Sequence, residues 1–149
     1  MVPLDLLAIV RILVAKGHFT IIEYNDALKK LGYFSYESSD KPCPVPQSKS
    51  KKIYKLSGKA ISHWVHIRKW PLIIRRLVKD LDDPVLQLGL KLNEIVERVT
   101  ATEFFDYEID LLENKIVNYL EMRKNVREEF TSIIPNPKPK HHYMREIYL

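Results

Sequence analysis

The sequence predicts an all-α fold: about five helices in an antiparallel bundle, with a central helix kinked by proline. Three observations carry that expectation. Apolar residues recur at spacings of three and four along most of the chain. Helix start and stop signals punctuate those runs, namely the capping box Thr20–Glu23, the start Asp82-Asp83-Pro84, and Gly17 and Gly32 after apolar stretches. No segment alternates convincingly with a period of two, and four glycines are too few for a turn-rich sandwich or barrel.

The first helix is expected over residues 3–16, with Pro3 tolerated in its first turn and Gly17 as its stop. Asp5 and Arg11 interrupt its apolar run, no charged leader precedes it, and the run is too short to span a bilayer. It therefore reads as a buried helix of a soluble protein. In the second helix Ile21, Tyr24, Leu28 and Leu31 share one face, and Gly32 ends it. Residues 1–32 together read as an N-terminal helical hairpin.

Residues 33–52 are rich in proline and serine and cannot sustain a regular element, which predicts a long, disordered loop. Ser57 is the expected cap of the third helix. There Ile61, Trp64, Val65, Ile67, Trp70, Leu72, Ile73, Ile74, Leu77 and Val78 point in nearly every direction, as in a helix enclosed by others. Pro71 should kink it near 67–70. Val85, Leu88, Leu92, Ile95 and Val99 then form a regular seam. It continues on a fifth helix as Ile109, Leu112, Ile116, Tyr119, Arg123, Val126 and Phe130, after a connection near 100–105. Acids crowd the start of that helix, while Arg123, Lys124 and Arg127 fall near its end, as the helix dipole favours. The bundle is thus expected over 53–134, and Pro135, Pro137 and Pro139 leave 135–149 as a basic tail.

Chemistry is sparse. Cys43 is the only cysteine, so no internal disulfide forms and a reducing intracellular setting, nuclear or cytoplasmic, is expected. There is no glycine-rich phosphate loop, nucleophile elbow or H-E-x-x-H. His63 and His66, three apart, have a spacing that can share a metal, but on an enclosed helix they read better as hydrogen-bonded core residues. His141 and His142 are adjacent, and in an extended segment they point opposite ways. No catalytic group, metal, cofactor or small-molecule substrate is expected, and no membrane partner.

The charge distribution is the stronger signal. Ten Lys or Arg and no acid lie between Lys49 and Lys79, and ten acids against two bases lie between Asp80 and Glu113. Such a block either binds a polyanion or is met by its acidic neighbour. Lys51, Lys52, Lys55, Lys59, Arg68, Lys69, Arg75 and Arg76, interleaved with Tyr54, Trp64 and Trp70, are the candidate nucleic-acid contacts. The opposing reading is that Arg75, Arg76 and Lys79 pair with the acidic segment inside the fold.

Four segments in order, "HFTIIEYNDALKKLGYFSYESSDKPCPVP", "YKLSGKAISHWVHIRKWPLII", "DDPVLQLGLKLNEIVERVTA" and "NPKPKHHYM", give the chain a resemblance. It resembles the central helical stretch of transposase-like proteins encoded by animal transposable elements. The resemblance implies a helical insertion within an RNase H-like nuclease, lying between acidic metal-binding positions. That family's "HDxxEG" would fall before or over Met1, where "MVPLDLLA" stands, and its later "RFExxH" has no counterpart beside "REIYL". The tryptophan motif also departs, with "ISHWVHIRKWPLII" where "QMWxLxRxLPLII" is usual. The expectation is a truncated or domesticated, non-catalytic fragment that associates with DNA through its basic segment. The alternative is a protein-interaction or self-association module, with the apolar first helix as its main exposed patch.

Overall fold

A computed structural model describes residues 2–33, 40–47, 55–100 and 105–129, with side chains to Val126. Within them the chain forms five helices and no strand: α1 (Val2–Ala15), α2 (Ile21–Lys29), α3 (Ala60–Leu77), α4 (Pro84–Val99) and α5 (Asp106–Glu129). The all-α expectation holds. None of these helices is long and apolar enough to cross a membrane.

Local chemistry sets the ends. Gly17 adopts φ +83°, a left-handed conformation that costs glycine little, and this lets His18 N–H reach back to Leu13 C=O at 3.2 Å. At α2 the capping box is formed: Thr20 Oγ1 accepts from Glu23 N–H at 3.1 Å while Glu23 Oε1 accepts from Thr20 N–H at 3.4 Å. Gly32 is not the stop for α2. The helix ends at Lys29 with Lys30 as its cap, and Gly32 lies beyond it without a positive φ. Nor does Ser57 cap α3. Gly58 takes φ +118°, which turns the chain before the first helical residue, so the cap position falls to Lys59, whose side chain makes no capping bond.

Pro71 sits inside α3, which continues from Ala60 to Leu77. Proline has no N–H to give the carbonyl four residues back, that of Ile67. Asn93 of α4 supplies the missing donor, its Nδ2 lying 2.8 Å from Ile67 O. On α4, Asp83 accepts from Val85 N–H at 2.8 Å, and Pro84 occupies the first turn. A Cβ on Gly89 would lie 2.2 Å from the Trp70 ring, so the absent side chain is what lets α3 and α4 approach around that fully buried indole. Arg98 pairs with Glu108 at 2.9 Å and Glu94 with Lys115 at 3.3 Å. Stepping back along α4 thus means stepping forward along α5: the two run antiparallel.

The core is one cluster to which every helix contributes. α4 packs against α1, α3 and α5, and α2 packs chiefly on α3. One expectation fails here. α1 is not an exposed patch: Leu6, Leu7, Ile9, Val10, Ile12 and Leu13 are all essentially inaccessible, because α3 and α4 cover it. The described residues 40–47 of the 33–52 loop form no helix or strand, as expected, yet they are anchored to the core. Val45 is buried, and Asn25 clamps its backbone by donating Nδ2 to Val45 O at 2.9 Å and accepting Val45 N–H at 2.8 Å. Cys43 is half-buried, its Sγ close against Gly58.

Candidate nucleic-acid interface

α3 has a buried and an exposed side. Ile67, Trp70, Ile73 and Ile74 face the core, whereas Ile61, Trp64, Arg68, Leu72 and Arg75, spaced by three and four, line the outer side. Trp64 is 43% exposed and Leu72 53%, and Arg68, Arg75 and Arg76 are exposed beside them. Lys55 and Lys59, both exposed, precede the first turn, which carries no acid. Cations at the positive end of a helix are unfavourable by themselves, and both that dipole end and the lysines favour an anion.

The other predicted contacts fall differently. Lys51, Lys52 and Tyr54 lie outside the described residues, as do His141 and His142. Lys69 is half-buried and leans over the Tyr33 ring, its Nζ 5.9 Å from the centroid, with Lys41 at 5.7 Å from the same ring. Trp70 cannot touch a ligand, being fully buried. Arg68 reaches Glu97 at 3.4 Å, an exposed pair of the kind that adds little stability.

The competing expectation, that Arg75, Arg76 and Lys79 pair with the acidic segment, is not what the described residues show. Four of its acids are engaged by other bases. Asp83 meets Lys16 at 3.2 Å and His18 at 2.9 Å, Glu94 meets Lys91 and Lys115, Glu97 meets Arg68, and Glu108 meets Arg98. No ion pair of Arg75, Arg76 or Lys79 occurs among the described residues. Asp83 is well served: burial alone would raise its pKa, but the bonds from His18, Val85 N–H and Lys16 outweigh that and lower it.

The histidines of α3 are core residues. Tyr24 OH and His66 Nε2 share a 2.6 Å hydrogen bond in the interior. Burial, helped by the nearby His63, pushes the His66 pKa down to about 3, and burial pushes the Tyr24 hydroxyl well up. His63 is also lowered by burial first. Among the described residues no three His, Cys, Asp or Glu side chains gather closely enough to hold a metal ion.

Sequence reasoning missed a buried polar group joining α1 to α5. Arg123 grips Asp5 with two bonds, Nε to Oδ2 at 3.0 Å and Nη2 to Oδ1 at 3.1 Å, and Tyr119 OH donates to the same carboxylate. Asp5 and Arg123 are only 3% and 2% exposed. Burial first, and then the Asp5 charge, drives the Tyr119 pKa well up. The available signal was an acid in one apolar stripe and a base in another, since two such intrusions can only be buried if they meet. Every member has a structural partner, so this group is a fastener rather than a site. Compared with protein-family models, curated proteins and solved structures, the chain matches none of them.

Proposed function

We propose that the protein is a non-catalytic nucleic-acid-associating module that lays the outer side of α3 along a phosphate backbone, with DNA as the partner. One observation carries this reading: Lys55, Lys59, Arg68, Arg75, Arg76 and Lys79 are all exposed on α3 and its flanks, with no acid between them and with Trp64 set among them. Arginine and lysine neutralise phosphates and release condensed counterions. An exposed indole offers a face on which an unpaired base can stack. A transposase-like origin is supported by the order of the sequence motifs alone.

The test is binding of a labelled DNA duplex across a salt series. Log affinity should fall linearly with log salt, by about 0.9 for each phosphate neutralised. Reversing Lys51, Lys52, Lys55 and Lys59 to Glu should weaken binding and flatten that slope. Undetectable or salt-insensitive binding defeats the proposal, and strand cleavage or joining with magnesium or manganese defeats its non-catalytic half.

A further inference from the structure

A second exposed surface, at the start of α5, resembles the α3 face in its exposed apolar side chains and opposes it in charge. Phe105, Tyr107 and Leu111 are 55%, 71% and 44% exposed. The Phe105 and Tyr107 rings are stacked, centroids 5.9 Å apart and 5° from parallel. Glu108 Oε2 holds Phe105 N–H at 3.0 Å, so this aromatic pair is anchored to the first turn. Asp106 and Asp110 are exposed around it. On α3, Ile61, Trp64 and Leu72 are likewise large, apolar and exposed, but Arg68, Arg75 and Arg76 surround them. These six account for most of the exposed large apolar side chains of the described residues.

The two faces lie on different helices of one molecule. α4 packs against both α3 and α5, and no ion pair of Arg75, Arg76, Asp106 or Asp110 occurs among the described residues. Each face is therefore left to seek its complement elsewhere, and a second copy of the chain carries it. We infer that the acidic, aromatic start of α5 in one copy docks on the basic, apolar outer side of α3 in another, and that nucleic acid displaces it.

The chemistry is matched on both counts. Aromatic and aliphatic side chains cover each other, while Arg68, Arg75 and Arg76 meet Asp106 and Asp110 around them, which sets orientation and excludes like-charged pairings. Two different patches are used, so the contact is head to tail, and it propagates into rings or open chains rather than stopping at a twofold dimer. Three large apolar residues on each side make a small contact, in the weak class below about 1,200 Å². Such a contact assembles only at high protein concentration. Displacement rests on α3 being the polyanion site, because phosphates and the α5 carboxylates would compete for the same guanidinium groups.

Charge swapping tests the contact. One variant carries Arg75→Glu and Arg76→Glu, the other Asp106→Lys and Asp110→Lys, and sedimentation velocity follows each from about 5 to 500 μM. Wild-type mass should climb with concentration, each variant alone should stay monomeric, and an equal mixture of the two should assemble again. Recovery on mixing excludes misfolding as the cause of either loss. The milder Tyr107→Ser should weaken assembly at least several-fold without touching α3. A wild-type chain that is monomeric throughout, or a mixture that does not assemble, overturns the inference, whatever else covers these faces. In the DNA arm, the α5 variant should bind duplex at least as tightly as wild type, and duplex should dissolve wild-type assemblies. Assemblies that persist with duplex bound overturn the displacement, whereas assembly with no duplex binding at all defeats the nucleic-acid reading and leaves the copy-to-copy contact standing.

Discussion

Asp5, Tyr119 and Arg123 place a charged pair where α1 and α5 meet, 118 residues apart in sequence for the two ionic partners. Removing one partner strands the other charge in the interior, which costs about 3–5 kcal/mol, whereas replacing both by apolar residues of similar volume is often neutral. Arg123→Met should therefore lower the midpoint of urea unfolding sharply, and adding Asp5→Leu should recover most of the loss. Similar losses for the single and double variants would show that packing, not the stranded carboxylate, dominates. His66 makes a second residue-scale prediction. Its pKa near 3 in the folded chain lies below the ordinary value of 6.5 because its burial disfavours the charged form. The unfolded chain then binds a proton that the folded one refuses, so stability falls as pH drops from 6.5 toward 3, by about 1.4 kcal/mol per pH unit at full effect. His66→Gln should be less stable than wild type at pH 7, through the lost Tyr24 bond, and the gap should close by pH 5. A gap that stays constant with pH would place the titration elsewhere.

At the scale of elements, α3 and α4 solve each other's problems. Pro71 leaves the Ile67 carbonyl without its helical donor, and Asn93 replaces that donor from the neighbouring helix. Gly89 opens the groove that the Trp70 ring fills. Pro71 was legible as a missing backbone donor and an expected kink in α3, and the spacing placed Asn93 on α4. That one answers the other was not legible, because 3.6-residue periodicity says which side of a helix is buried but not which neighbour it meets. Asn93→Ala should cost about 1–3 kcal/mol by leaving a buried carbonyl unsatisfied. In a Pro71→Ala background, where residue 71 regains its N–H, the same change should cost much less. Equal costs in the two backgrounds, measured by thermal or urea unfolding, would sever the link between proline and asparagine. Ser57 teaches a related point: its residue type suits a cap, yet Gly58 turns the chain so that Lys59 takes the position.

Across the whole molecule, α1 behaves as the centre of the core rather than half of a separate hairpin, since α3 and α4 enclose it and one apolar cluster runs through all five helices. Leu56 N–H, just before α3, also binds Pro3 C=O at 3.1 Å, tying the two regions together. Deleting residues 1–16 should therefore abolish cooperative thermal unfolding, followed by circular dichroism, instead of trimming a dispensable end. A sharp transition in the shortened chain would mean that the remaining helices form a core of their own. Charge is segregated at this same scale. Asp83, Glu94, Glu97 and Glu108 of the acidic stretch meet Lys16, Lys91, Lys115, Arg68 and Arg98, while Arg75 and Arg76 at the end of α3 are exposed.

The sequence by itself determined the helical class, the start of α2 and α4, the seam of α4 with α5, and the sign of charge on α3. All of these are set by residues close in the chain, through hydrogen-bonded caps and a short repeat. Only the tertiary structure decided that Asp5 meets Arg123, that Val45 is clamped into the core, that Trp64 is exposed while Trp70 is sealed, and that Arg75 and Arg76 are not consumed by the acids after them. Those outcomes depend on which helices lie side by side, and that choice is made by the summed burial of apolar surface over the whole chain.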